Sequence, residues 1–323
     1  SSSFSFEGNS GNGGNIHLNA RTVILENSSI DALSSNGKGG DVIIRTTEDD
    51  LEIPKIRLVN TSIDVTAQFS NNSSQSEDKK GDENQTSTIG RTGNVTIDAG
   101  NRGSVELITD SEPKAMILTA ALTNSENQKT GGDIAVMGGS VTIDGYQLSA
   151  NVNPEVTGNG GQVSIKTPDN GNVSIRNNAV ISTTTEGQGN AGNLTINTGR
   201  LILSDSAQIS TSSLGEGTGG DIKIDASESV VLQGSTENLQ NDVLIPVLTG
   251  KGSLSSLLHN PNDNANVVGL LAGSGSNGEA GSITIETQKL TAQNGALIST
   301  TVFGTGQGGD IMIDASEKVE LTN

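Results

Sequence analysis

One short phrase, a glycine followed by Asp or Asn and then an apolar-polar-apolar triplet, returns along the whole chain. It begins at Gly14, Gly40, Gly93, Gly132, Gly161, Gly192, Gly220, Gly281 and Gly309, with Gln and Ser standing in for Asp/Asn after Gly161 and Gly281. The intervals are 26, 53, 39, 29, 31, 28, 61 and 28 residues. Five of the eight fall between 26 and 31, and the longer ones read as one unit plus an insertion. A repeat of this period is a supersecondary unit that cannot bury its own apolar row and must stack on its neighbours.

Each unit contains three short alternating pieces. The first follows the glycine corner, as in Ile222-Lys-Ile224 or Ile311-Met-Ile313; the second resembles Val173-Ser-Ile175 or Leu201-Ile-Leu203. A turn rich in Asn, Asp and Gly leads to a third piece of the type Ala207-Gln-Ile209-Ser, and a Thr/Ser/Gly stretch returns to the next corner. Period-two alternation in runs this short, separated by turn residues, is the pattern of strands and not of helix. The expected fold is therefore all-β: a right-handed parallel β-helix, a solenoid of about 28 residues and three strands per coil. Eight to nine coils at roughly 4.8 Å each make a rod of about 40 Å. Residues 1–323 are expected to form this one shaft, with Ile222, Ile224, Ile311 and Ile313 pointing inward and Lys223 and Met312 outward.

Stacked ladders explain how a chain with only 31% hydrophobic residues and 42 glycines can fold at all. Charge narrows the function. Lys and Arg number 18 against 37 Asp and Glu, a net charge of −19. Such a surface lacks the basic stripe that displaces counterions from nucleic acid, so no nucleic-acid partner is expected. Cysteine is absent, which removes disulfides, thiolate metal sites and cysteine nucleophiles. No apolar run is long enough for a membrane-spanning helix.

Two segments break the period. Residues 68–92 form a polar insertion; residues 234–278 form a partly apolar one, carrying Val243-Leu-Ile-Pro-Val-Leu248 and a candidate short helix around Leu254 to Leu258. Apolar surface of that extent is expected to fold over a lateral face of the rod or to meet a neighbouring chain.

The Asp/Asn column after the corner glycine (Asn15, Asp41, Asn94, Asp133, Asn193, Asp221, Asp310) reads first as turn chemistry, since short polar side chains bond a bent backbone. Calcium between stacked carboxylates is the competing reading. Only diffuse calcium association with the acidic rod is expected, without a coordinated site along Asp41, Asp133, Asp221 and Asp310. Catalysis finds little footing. His17 and His259 lie far apart in the chain, the aromatics Phe4, Phe6, Phe69, Tyr146 and Phe303 are scattered, and Arg102, Glu106 and Asp110 read as a solvated face. Thr183 to Thr185, Thr211 and Thr300 to Thr301 are too irregular for an ice-binding array. No catalytic, cofactor-binding or metal-ligating residue is assigned, and no cofactor is expected.

The phrases Gly-Gly-Asp-Ile-x-Ile-x-Ala (Gly219 to Ala226, Gly308 to Ala315) and Asn-Gly-Ala-x-Ile-Ser-Thr (Asn294 to Thr300) resemble the filamentous-haemagglutinin-like exoproteins of bacteria, especially the cyanobacterial ones. The resemblance spans the chain outside the two insertions. It implies export by two-partner secretion, an extracellular or cell-surface location, and service as an adhesin or surface fibre. That family's Asn-Pro-Asn secretion motif has no counterpart near the start; Asn260-Pro-Asn262 lies in the second insertion. The expected role is thus a non-catalytic shaft segment. A polysaccharide-processing β-helix enzyme, lyase or hydrolase, is the alternative. Ser1 opens in mid-pattern, Ser3 to Phe6 reads as a third strand and Val319 to Leu321 as a second strand, so a longer filament is expected. Its contacts would be the axial ends and the insertions 68–92 and 234–278, with a surface glycan or a receptor on a host or neighbouring cell as further partners.

The ladder register makes one energetic claim. An Ile224→Asp change places an unpaired carboxylate inside an apolar column and should cost about 3 kcal/mol or more. Urea denaturation of the two proteins measures it, and a loss below about 1 kcal/mol would place residue 224 outside the core.

Overall fold

The computed structural model describes residues 3–5, 12–34, 38–47, 52–67, 92–120, 130–153, 157–234 and 267–323. Among these every regular element is a strand, every pairing between strands is parallel, and the strands stack in a solenoid-like arrangement. Strands three apart in sequence order lie side by side in the first part of the chain, and strands two apart from Leu194–Ser204 onward, where two strands of a unit run together. The first ladder runs from Ile16–Asn19 through Val42–Arg45, Val95–Asp98, Ile134–Met137 and Val163–Lys166 into the leading halves of four long strands. Those are Leu194–Ser204, Ile222–Gln233, Ile283–Gln293 and Ile311–Thr322, whose trailing halves join the second ladder, Thr22–Glu26, Lys55–Val59, Ser104–Ile108, Ser140–Asp144 and Asn172–Arg176. Short strands such as Ser29–Asp31, Ser62–Asp64 and Gln208–Ser210 form a separate third ladder.

The long sequence intervals are single steps of the stack. Ile43 pairs with Thr96, Thr96 with Ala135, and Lys223 with Thr284. The 39-residue interval thus also holds extra chain, part of it in the connection 109–115, which the two-insertion reading did not separate out. Residues 267–278, assigned from the sequence to the second insertion, belong to the stack. Gly269–Leu271 pairs with Gln208–Ser210 below and Leu297–Ser299 above, and Ser274 bridges Ser213 and Val302. Thr92, placed at the end of the first insertion, is a buried corner residue. Gly234 also joins the stack, donating its N–H to the Gln293 carbonyl; residues 68–91 and 235–266, with the candidate helix at Leu254 to Leu258, lie outside the described residues.

Alternation puts the apolar rows inside. Ile196, Ile224 and Ile285 are in register and fully buried. Ile222 is equally buried, while Lys223 points out. Ile311 and Ile313 continue the same columns, but they sit on a strand paired on one side only, so Ile311 is 44% exposed. Met312, facing outward, is 62% exposed. Ser3–Ser5 pairs with Ser29–Asp31, and Val319 to Leu321 with Leu290 to Ala292, the strand roles read from the sequence.

The corners explain the glycines. At Gly220 a β-carbon would lie 2.0 Å from the Gly192 carbonyl oxygen; at Gly192, 1.9 Å from that of Gly161; at Gly281, 2.0 Å from that of Gly220. Backbone sits directly on backbone, leaving no room for any side chain. The corner N–H groups close each coil: Gly132 donates to the Thr119 carbonyl and Gly192 to that of Thr183. Thr119 and Thr300 add hydroxyl bonds of 2.6 and 2.8 Å to the carbonyls of Gly132 and Gly309.

Between the second and third ladders the chain reverses in two residues at Asn177-Asn178, Asp205-Ser206 and Asn294-Gly295, all with positive φ. Each is spanned by a bond from residue i+3 to i, such as Ala207 N–H to the Ser204 carbonyl, which defines type I′ turns. Just beyond this corner Tyr146 is wholly buried, and its hydroxyl donates to the Thr61 carbonyl two coils away. The intervening neighbour is Ala115, and Ala179 lies on the other side, so one large ring fills space left by two small residues.

A matched pair of substitutions tests the backbone contact. Gly220→Ala should destabilise by about 3 kcal/mol, since neither facing backbone can retreat. Gly308→Ala, whose β-carbon meets nothing nearer than 3.7 Å, should stay within about 0.5 kcal/mol. Thermal melts of both variants decide it; equal losses would refute the contact as the cause.

Candidate functional surface

The Asp/Asn column forms an axial chain of hydrogen bonds. Asn15 Oδ1 accepts the Asp41 N–H at 2.9 Å, Asp41 Oδ1 that of Asn94 at 2.8 Å, and Asn94 Oδ1 that of Asp133 at 2.9 Å. Asp133, Asn193 and Asp221 do the same for Gln162, Asp221 and Ser282. A second such column three residues earlier joins Asn159 to Asn190 and Asn190 to Thr218. Residue type follows from the bond required: Asn and Asp carry an oxygen at the reach of the next N–H. Among the described residues no group of three His, Cys, Asp or Glu side chains is placed to hold a metal ion.

Arg102, Glu106 and Asp110 are not brought together in one hydrogen-bonded cluster. Glu106 sits on the outer face of the second ladder, where Lys55 approaches one carboxylate oxygen at 2.7 Å and Arg57 donates to the other. Partial burial opposes its ionisation, but the two cations outweigh that and hold its carboxyl below the usual glutamate value. Asp110 instead accepts from the Asn60 side chain at 2.8 Å. His17 is exposed on the first ladder, and His259 lies outside the described residues. Of the aromatics, Tyr146 is buried and Phe303 half-buried; the side chains of Phe4, Phe6 and Phe69 lie outside the described residues.

One pair is marked in the sequence only by a repeated triplet. Ser29–Asp31 and Ser62–Asp64 share the sequence Ser-Ile-Asp, and the third ladder pairs them so that Asp31 and Asp64 stack as neighbours on its outer face. Parallel strands lie about 4.8 Å apart, so two carboxylates face each other at close range. On its other side Asp64 is flanked by Leu118. Asp31 accepts from the Ser29 hydroxyl at 3.1 Å, and Asp64 from the Thr66 N–H at 2.9 Å. Burial raises the Asp64 carboxyl above its ordinary value; the Thr66 bond opposes this and the Asp31 charge adds to it. Chemically, neighbouring carboxyls are the kind of side chain that acid/base hydrolysis uses.

The sign of this shift is testable. A carboxyl raised in the folded state binds protons more tightly there than in the unfolded chain. Its ionisation therefore costs stability at neutral pH, and stability is regained as pH falls from above the folded value toward the ordinary aspartate value. Asp64→Asn should raise the melting temperature at pH 7 and flatten the rise seen on mild acidification. A lower melting temperature at pH 7 would show that the ionised form is the stabilising one.

Comparison with known proteins adds no relative: no family model matches the chain, and neither a curated protein nor a solved structure is recognisably similar to it.

Proposed function

We propose that the chain is a non-catalytic segment of an extracellular fibre, structural or adhesive, built as a right-handed parallel β-helix of about 28 residues and three strands per coil. The handedness follows the rule for crossover connections between parallel strands. The observation that carries the reading is the Asn15-to-Asp133 hydrogen-bond chain, with its continuation from Asn193 to Ser282. Asn and Asp side chains that recur at most corners are spent on axial cohesion, which is what a shaft needs. Enzymes of stacked-coil architecture instead concentrate unlike groups at one level of the stack. The corner phrases resemble filamentous-haemagglutinin-like exoproteins, which supports two-partner secretion, cell-surface placement, self-association into filaments, and a surface glycan or cell receptor as ligand.

A second reading has one observation in its favour. The stacked Asp31 and Asp64 are the chemistry that a polysaccharide-processing enzyme would use.

One experiment separates the two. Incubated with a panel of neutral and acidic polysaccharides, the purified chain should yield neither new reducing ends nor unsaturated products, while retaining part of the panel on a glycan array. Turnover that disappears in Asp64→Asn would overturn the fibre reading in favour of the enzyme.

A further inference from the structure

Two hydroxyls in the core of the stack have no protein partner. Ser213 and Ser274 are wholly buried, and among the described residues neither Oγ makes a hydrogen bond. A buried hydroxyl left unpaired costs free energy, so each such group calls for a physical reason. Both belong to one column just beyond the third ladder, in which Val152 bridges Thr185, Thr185 bridges Ser213, Ser213 bridges Ser274 and Ser274 bridges Val302. Alternation turns this column inward. Ile209 and Thr211 precede Ser213 at steps of two, as Leu270 and Ala272 precede Ser274, and all four are fully buried.

Nearby hydroxyls are satisfied, which sets the pair apart. On the opposite side of the same strand extension, Ser210 donates to Ser212 at 3.1 Å, and Ser212 accepts the Gly273 N–H at 3.1 Å. One level earlier in the inward column, the Thr185 hydroxyl accepts the Gly187 N–H at 3.3 Å. Neither serine repeats that bond. Size points the same way. Val152, Thr185 and Val302 each carry two heavy atoms on the β-carbon, whereas a serine carries one. The two serines therefore leave methyl-sized gaps on successive levels, together enough for the roughly 30 Å³ that one water takes up in the liquid. A gap lined only by apolar groups stays dry; one bounded by unpaired hydroxyls attracts water.

Spacing decides how the gap is filled. In-register residues of adjacent parallel strands repeat at about 4.8 Å, too far for one hydroxyl to reach the other directly. A single oxygen about 2.8 Å from each would see the two at an angle of about 118°, close to tetrahedral. We propose that Ser213 and Ser274 hold one buried water between them, a structural site inside the core. It lies at the step between Gly220 and Gly281, the longest interval of the repeat, and joins serines 61 residues apart in sequence. There it adds an axial link inside the stack to the link that Ser212 makes outside.

Two measurements test the site. A crystal structure of the intact chain, at a resolution that shows ordered water, should place one oxygen within about 3.2 Å of both Oγ atoms. No density there would overturn the proposal. The second measurement is the sign of a substitution series. Without a water, Ser213→Ala and Ser274→Ala would each delete an unpaired hydroxyl and raise the melting temperature. With it, either change strips the bridge of a partner, so each should lower the melting temperature by about 2 °C. The double variant should then melt no lower than the weaker single, because the same bridge is lost once. Single variants that melt no lower than the parent, or two losses that simply add, would rule the shared water out.

Discussion

Everything in this molecule depends on backbone resting on backbone at the corners. Parallel strands stacked one per coil repeat at about 4.8 Å, and the corners have to keep that spacing with no sheet to enforce it. They do so by direct contact of glycine on glycine carbonyl, as at Gly192 over Gly161 and Gly220 over Gly192, and by the Asn/Asp oxygens that reach the next coil's N–H. Apolar columns then supply the main driving force, but they would tolerate a sliding or tilted neighbour. The corner contacts would not. An Ile can be replaced by Val or Leu along a column, and is; the corner glycine is retained in every coil.

This division of labour explains what was legible in the sequence. The all-parallel stacking of short repeats and the inward Ile rows followed from alternation, because period two decides which side chain is buried irrespective of distant neighbours. The single-step nature of the 53- and 61-residue intervals also followed, since the same glycine phrase stands on both sides of each gap. Other features depend on the stacking partner and not on local pattern. Residues 267–278 looked foreign because Val267, Val268, Leu270 and Leu271 break alternation, yet Leu270 is the in-register neighbour of Ile209 and Ile298. The extra chain around 109–115 was hidden by the ordinary look of its flanking strands.

The candidate acid pair shows the same limit on the functional side. Ser-Ile-Asp at residues 29–31 and again at 62–64 is an unremarkable triplet in a chain rich in such triplets. Only the register puts the two carboxylates next to each other. By contrast, Arg102, Glu106 and Asp110 are close in sequence, but Glu106 and Asp110 are committed to different partners, because Asp110 lies beyond the strand Ser104–Ile108 that carries Glu106. In a stacked fold, proximity runs across coils, so residues 33 positions apart can be nearer than residues 4 apart.

Tyr146 carries this non-interchangeability into evolution. Repeats of this kind are natural material for unequal recombination, in which one coil is duplicated, lost or moved. The ring at 146 needs an alanine on each side and reaches past the first to the Thr61 carbonyl. Copied into the place of Ala115, it would meet its own duplicate. The ring at 146 is therefore fitted to one level of the stack, the level whose in-register neighbours are Ala115 and Ala179.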